Sequence, residues 1–188
     1  MTYIDKTLVF ESDRIYYTDE AFGGEMQVMM SWEDPIMKAS ADYVCEGGGD
    51  ILEIGFGMGI SAGHIQANSI TSPTIVENHP QVIEKAKAWA ADKPNVTIVE
   101  GDWYAVKDSL STYDGVFYDT WGDDNALRFV SEVVNFTKAG AKVTWWNNYT
   151  DTDDVLYING TTYQSISVNP DSNMYFQSNT YHLPKKQF

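Results

Sequence analysis

The sequence predicts an α/β protein with a doubly wound, mostly parallel seven-stranded sheet closed by a C-terminal antiparallel hairpin. Two patterns carry this prediction. From Asp50 onward, short runs rich in Ile, Val and aromatic residues alternate with stretches whose apolar residues recur at helical spacing, as in consecutive βα units. The last two such runs follow each other across Asn169-Pro170-Asp171 with no helical stretch between them, which pairs them antiparallel. At 188 residues the chain has the length of one domain with a real core. Its 43% hydrophobic and 14% aromatic content is burial capacity that disordered segments lack. We read residues 1–188 as one domain, with 1–49 as an N-terminal lid and 50–188 as the ligand-binding core.

Thr7–Glu11 and Arg14–Thr18 read as short strands around Ser12-Asp13, followed by a Gly-containing stretch through Phe22-Gly23-Gly24. Asp34 suits the N-cap of a helix with Pro35 at its first position, and Ile36, Ala39, Tyr43 and Val44 then share a face. Glu33 is left in the loop just before, where a carboxylate can point at a ligand instead of water. Gly47-Gly48-Gly49 punctuates the boundary with the core. Beyond it, Asp50–Ile54, Pro73–Glu77, Val96–Val99, Tyr113–Tyr118 and Lys142–Trp146 read as strands. Ile60–Asn68, Pro80–Ala91 and Asp123–Thr137 read as helices, and Thr162–Val168 and Met174–His182 as the closing hairpin.

Twelve Lys and Arg against 27 Asp and Glu give a net charge of −15, which repels phosphate backbones and anionic membranes. Nucleic acid and membrane are therefore not expected partners; a small cationic molecule is. One cysteine, Cys45, leaves no internal disulfide framework and suits a reducing, cytoplasmic compartment. No basic n-region with an apolar run opens the chain and no 18-residue apolar stretch occurs, so neither export nor a membrane span is expected.

The motif with the most chemistry is Glu53-Ile54-Gly55-Phe56-Gly57-Met58-Gly59, a glycine turn between a strand and a helix. Glycines there let the backbone turn sharply and let a ligand approach closely. Glu77, eighteen residues beyond Gly59, ends the next strand and offers a carboxylate to ribose hydroxyls. Gly101-Asp102-Trp103 after the third strand adds a carboxylate for an exocyclic amine and an indole for an adenine face. Gly57, Gly59 and Ala62 also satisfy the nicotinamide spacing G-x-G-x-x-A. A Tyr181/Lys185 acid pair, however, would need a helix through Pro184, which Pro breaks. Gly59-Ile60-Ser61-Ala62-Gly63 fits the serine-hydrolase pattern with Asp119 and His182, yet Ser61 falls inside the helix instead of at the strand corner. His64, His79, His182 and Cys45 lack metal-ligand spacing, so no metal is expected. S-adenosylmethionine suits the constellation best.

Val28-Met29-Met30-Ser31-Trp32-Glu33-Asp34-Pro35-Ile36-Met37 joined to Leu52-Glu53-Ile54-Gly55-Phe56-Gly57-Met58 resembles the guanidinoacetate N-methyltransferase family, with features shared by arginine δ-N-methyltransferases. The resemblance continues through Glu77-Asn78, Gly101-Asp102-Trp103, Tyr118-Asp119-Thr120 and Met174-Tyr175-Phe176. It implies a class I, Rossmann-like methyltransferase fold that uses S-adenosylmethionine. By the same resemblance Met29, Met37, Gly55, Phe56, Gly57, Met58, Gly59, Glu77, Asn78, Asp102 and Trp103 surround the cofactor. Glu33 and Asp119 match the family's guanidino-binding carboxylates.

The residues reach the same pair on their own terms. Asp119 lies at the carboxyl end of the fourth core strand beside the glycine turn, where doubly wound sheets bind ligands, and Glu33 sits on a segment able to fold over it. Two carboxylates can hold a guanidinium fork and orient one nitrogen. A guanidinium keeps its protons to above about pH 12, so a carboxylate must accept one as that nitrogen attacks. The rings of Trp32 and Trp121 either face the cation or simply pack. Where the resemblance implies backbone capture of the acceptor's carboxylate, this chain reads Asn147-Asn148-Tyr149-Thr150-Asp151, then Asp153 and Asp154. That added negative charge disfavours an anionic tail. Asn148 and Tyr149 are the candidate acceptor contacts. The function expected is N-methylation of a small guanidino compound such as guanidinoacetate. Degradation of the cofactor by a hydrolase or lyase, methylation of another small amine, and non-catalytic sensing of an adenosyl ligand are the alternatives.

Overall fold

The computed structural model describes residues 2–148 and 156–188. The N-terminal segment forms an antiparallel sheet of β1 (Val9–Phe10), β2 (Arg14–Asp19) and β3 (Gly24–Met30), in that order. β3, which begins at Gly24, is a strand that the sequence reading does not place. Its sequence, Gly-Glu-Met-Gln-Val-Met-Met, has one β-branched residue, and pairing with β2 makes it a strand where propensity does not. Leu8, Ile15 and Tyr17 from this segment pack with Phe56, Ile75, Val82 and Ala86 of the core, which fixes the small sheet beside the glycine turn.

A 3₁₀ turn, Ser31–Glu33, leads into α1 (Asp34–Val44). Glu33 takes the N-cap position and Asp34 is the first helical residue, one step earlier than expected, with Pro35 in the first turn where its missing N–H costs nothing. α1 buries Ile36, Met37, Ala41 and Val44.

The core follows as β4 (Asp50–Ile54), α2 (Ile60–Ala67), β5 (Ser72–Glu77), α3 (Pro80–Ala90), β6 (Thr97–Glu100), α4 (Trp103–Val106), β7 (Tyr113–Tyr118), α5 (Ala126–Glu132), β8 (Thr137–Trp145), β9 (Thr162–Ser167) and β10 (Thr180–Gln187). The strand order is β6-β5-β4-β7-β8-β10-β9. The first five are parallel, and β10 runs antiparallel to both β8 and β9. This is the doubly wound, mostly parallel seven-stranded sheet with a C-terminal hairpin. The order reverses between β4 and β7, and Ile54 pairs with Val76 on one side and Tyr118 on the other. Gly55 and Asp119 therefore emerge side by side at the crevice where such sheets hold ligands.

Boundaries differ from expectation most at three elements, α5, which also starts at Ala126 instead of Asp123, β8 and β10. α5 stops at Glu132 and a 3₁₀ turn, Val133–Phe136, replaces its last turn; the β-branched pair Val133-Val134 and Asn135 are weak helix formers. β8 starts at Thr137 instead of Lys142, across a register shift opposite Tyr113/Gly115. β10 runs Thr180–Gln187 instead of Met174–His182 because Asn173 ties the preceding residues into a turn. Its Oδ1 accepts from the amides of Tyr175 (2.9 Å) and Phe176 (2.7 Å), an Asx arrangement that competes with a strand ladder. Pro184 is tolerated within β10 because the ladder to β8 engages only at Lys186 and Gln187, while Thr144 Oγ1 donates to its carbonyl at 2.6 Å. Among the described residues no helix is long and apolar enough to cross a membrane, and no group of three or more His, Cys, Asp or Glu is placed to hold a metal ion.

Candidate functional site

The turn from Gly55 to Gly59 bridges β4 and α2 with Gly55 at φ +97° and Gly57 at φ +53°, conformations that L side chains rarely adopt. Space is as strict as torsion. A Cβ on Gly55 would lie 1.8 Å from the carbonyl oxygen of Asp119, and one on Gly57 would lie 2.4 Å from Met29 Sδ. The turn is thus pressed against the end of β7 on one side and β3 on the other. Above it opens a cavity that is continuous with solvent and walled by the turn, β3 and the ends of β5 and β7.

Of the residues expected around a cofactor, Met29, Gly55, Phe56, Gly57, Glu77, Asn78 and Trp103 line this cavity. Glu77 ends β5 with Oε2 accepting from the Phe56 amide at 2.9 Å and Oε1 accepting from the Asn78 and His79 amides at 2.8 Å each. A carboxylate offers about four lone-pair sites, so capacity is left for a ribose hydroxyl. Trp103 is 2% exposed. Its Nε1 donates to Asp123 Oδ2 at 2.6 Å, and the rings of Tyr104, Tyr118, Phe129 and Phe136 meet it edge-on.

Met37, Met58, Gly59 and Asp102 lie off the wall. Met37 has no exposed surface and packs under α1. Met58 contributes its amide to Met29 Sδ at 3.1 Å, and Gly59 caps α2 at φ +75°. The Asp102 carboxylate caps α4 through the Ala105 amide at 3.0 Å and accepts from Asn125 Nδ2, which draws it toward the helix instead of the cavity.

The expected acceptor residues Glu33, Asp119 and Asn148 share the wall; Tyr149 lies outside the described residues. Glu33 is 3% exposed, and its Oε1 accepts from the Met30 amide and from Tyr175 Oη, each at 2.7 Å. Burial, reinforced by the charge of Asp119, lifts its carboxyl to about 8 against the lowering effect of those two donors. Burial alone lifts Asp119 to about 7. The Asp119 side chain faces the cavity without a hydrogen-bond donor among the described residues. Burial makes both groups resist ionisation, and an arriving cation would offset it.

Several wall residues carry no local sequence signal. Tyr3 arrives from the N-terminal turn, its ring 4.9 Å from that of His79. Asp123 gathers the Trp103 indole, the Tyr118 hydroxyl and the Asn125 amide. Trp121, Trp146 and Tyr175 form an aromatic side, with Trp121 and Trp146 each meeting Tyr175 edge-on at 6.1 Å. Trp32 is buried behind them, stacked on Tyr175 at 5.9 Å and Phe176 at 5.8 Å. Ser61 is buried in α2 and donates to Glu53. Its hydroxyl is therefore committed inside the fold, as a nucleophile's is not.

The family model for guanidinoacetate N-methyltransferase matches residues 19–166. Protein arginine N-methyltransferase 2 of Aspergillus fumigatus is 38% identical over 141 residues, covering 70% of this chain and 32% of that protein. Its counterpart in Aspergillus oryzae is 34% identical over 155 residues, covering 77% and 36%. The chain spans about a third of the length of these curated relatives. Among solved structures, spermidine synthase from Thermotoga maritima superposes with a TM-score of 0.68 at 12% identity, over 96% of this chain and 72% of that one. Precorrin-6y C5,15-methyltransferase from Geobacter metallireducens gives 0.61 at 15% identity, over 86% and 89%. These two likenesses show a shared fold.

Proposed function

This chain belongs to the guanidinoacetate N-methyltransferase family, a class I methyltransferase family that uses S-adenosylmethionine, and from that premise we propose that it methylates a guanidino nitrogen held by Glu33 and Asp119. The single observation that carries the proposal is this pair. One buried carboxylate from the N-terminal lid and one from the sheet rim face the same cavity, beside a glycine cradle, without a basic side chain in the described wall.

The residues present fit the cofactor. Gly55 and Gly57 leave the space and torsion that a close backbone approach needs, Glu77 stands where a ribose is held in doubly wound folds, and Phe56 and Trp103 bring apolar surface. When bound, S-adenosylmethionine supplies an electrophilic methyl group on a sulfonium. The protein's part is binding, orientation and proton acceptance. Glu33 Oε1 is occupied by Tyr175 and Met30, so Oε2 is the oxygen for one arm of a guanidinium, with Asp119 for another. A fork gripped at two points cannot rotate, and holding the attacking nitrogen in line is worth up to roughly 7–11 kcal/mol. As that nitrogen attacks it sheds a proton. Asp119, whose carboxylate has no competing donor among the described residues, is assigned to accept it.

The relatives named for arginine methylation support a guanidino acceptor, either a free compound such as guanidinoacetate or arginine within a protein. Mass spectrometry of incubations with S-adenosylmethionine and guanidinoacetate, arginine, an arginine peptide or no acceptor decides among these. Methylated product that forms only when a guanidine is present is expected; donor breakdown at the same rate without any acceptor would overturn the assignment.

A further inference from the structure

We propose that Asp123 is a positioning residue of the acceptor site, holding the end of β7 so that Asp119 points at the guanidinium. This rests on the assignment of Asp119 to the acceptor and concerns what aims it. The Asp119 side chain reaches the cavity with no hydrogen-bond donor among the described residues, so its direction is set by the backbone on either side. Up to Asp119 that backbone is firm: its amide donates to the Ile54 carbonyl at 2.8 Å, which continues the ladder of β7 by one residue. Beyond it, Thr120, Trp121 and Gly122 make no backbone hydrogen bond among the described residues. A segment held no better than that would let the carboxylate swing.

Side chains supply the missing restraint, and they converge on Asp123. Its Oδ2 accepts from the Tyr118 hydroxyl, from Thr120 Oγ1 at 3.3 Å and from Trp103 Nε1 at 2.6 Å, while Oδ1 accepts from the Asn125 amide at 2.7 Å. Tyr118 and Thr120 are the two neighbours of Asp119 in the chain. In an extended backbone they share one face and the residue between them takes the other. Anchoring both hydroxyls to one oxygen therefore fixes the direction left to Asp119. Trp103 arrives from beyond β6 and is 2% exposed among other aromatic rings, which gives the anchor a rigid footing. Asn125 Nδ2 reaches Asp102 at 3.3 Å and ties the same two loops a second time. These four donors fill the roughly four lone-pair sites of a carboxylate. Asp123 stands on the cavity wall, yet it is committed to the fold and not free to bind the ligand.

A double-mutant cycle on the full chain tests this by single-turnover methyl transfer read by mass spectrometry. S-adenosylmethionine is saturating, and the acceptor is whichever of guanidinoacetate, arginine and an arginine peptide the parent methylates fastest. Asp123→Asn keeps the shape of the side chain but turns an N–H toward the converging donors. The expected result is a rate at saturating acceptor lowered about tenfold or more in the parent, and lowered less than about twofold further when Asp123→Asn is added to Asp119→Asn, since both act through one carboxylate. A merely structural loss lowers both backgrounds by the same factor; that result overturns the inference, as does a parental rate in Asp123→Asn. In either case a slowed Asp119→Asn leaves the guanidinium grip standing. Asp119→Asn at the parental rate, or a parent that methylates none of the three, overturns the grip and the inference together. Tyr118→Phe removes one of the bonds and leaves its ring in the core, so it carries the same cycle if Asp123→Asn does not fold. Slowing of about threefold or more in the parent, absent in Asp119→Asn, is then expected, and an additive or absent effect overturns the inference.

Discussion

Tyr175 is the residue on which the proposed acceptor grip turns, although it is not one of the two carboxylates assigned to it. Its hydroxyl fixes Glu33 Oε1 at 2.7 Å and leaves the second oxygen for ligand. The bond lowers the Glu33 carboxyl against the rise that burial imposes. Tyr175→Phe should therefore shift the acid limb of guanidine binding to higher pH, with a loss of about 0.5–1.5 kcal/mol in the stability of the empty protein, whose Glu33 carboxyl is largely neutral near pH 7. Guanidine affinity measured against pH checks this, and an unmoved limb contradicts it. A second prediction concerns the protein without ligand. Folding raises the carboxyls of Glu33 and Glu53 from 4.5 to about 8, and that of Asp119 from 3.8 to about 7. The folded chain then holds more protons than the unfolded one between those limits, so stability is fully present below the lower values and is lost as pH rises through the upper ones. The melting temperature of the empty protein should fall from about pH 5 to about pH 8, and saturating guanidine should flatten that fall; a rise over the same range contradicts it. Glu33 and Asp119 are legible in the sequence because each sits at a junction, one before a helix and one after a strand. Tyr3 and Asp123 are not, because their places on the wall come from contacts across the chain.

At the scale of the element, the glycine turn and its flanking β4 and α2 are legible nearly to the residue, since torsion restricts the sequence there. The prediction belongs to Gly55, where a side chain would meet the Asp119 backbone, not a flexible side-chain end. Gly55→Ala should cost at least about 1–3 kcal/mol from its positive φ alone, and displacement of Asp119 should weaken guanidine binding in the fraction that folds. Urea denaturation reads the first and calorimetry the second; a variant as stable as the parent contradicts the crowding. β3 and β10 show where reading by propensity stops. β3 is a strand because β2 pairs with it. β10 starts late because one asparagine side chain holds Tyr175 and Phe176 in a turn, a decision made by two hydrogen bonds that no periodicity registers.

For the whole molecule, the strand order decides what meets what. The reversal between β4 and β7 brings the glycine turn beside Asp119, and this much follows from counting strands along the sequence. The closure does not. Glu33 and Tyr175 bond across 142 positions of chain, and Met29, Trp32, Phe176 and Tyr181 share one core cluster. The N-terminal segment and the residues leading into β10 therefore build this side of the cavity together. Only the resemblance of Met174-Tyr175-Phe176 hinted at that, since motifs report neighbours in sequence and this wall is made of neighbours in space. The net charge of −15 becomes specific at this scale. The enclosed carboxylates, without a basic partner among the described wall residues, are the part of it that can select a cation, while the rest solvates the surface. The central claim is that Glu33 and Asp119 together hold the guanidinium and that Asp119 takes its proton. Single-turnover methyl transfer, followed by mass spectrometry in Asp119→Asn with S-adenosylhomocysteine affinity measured alongside, tests it most directly. The account predicts undisturbed S-adenosylhomocysteine binding with transfer slowed by about 10²–10⁴-fold; transfer at the parent rate would contradict it.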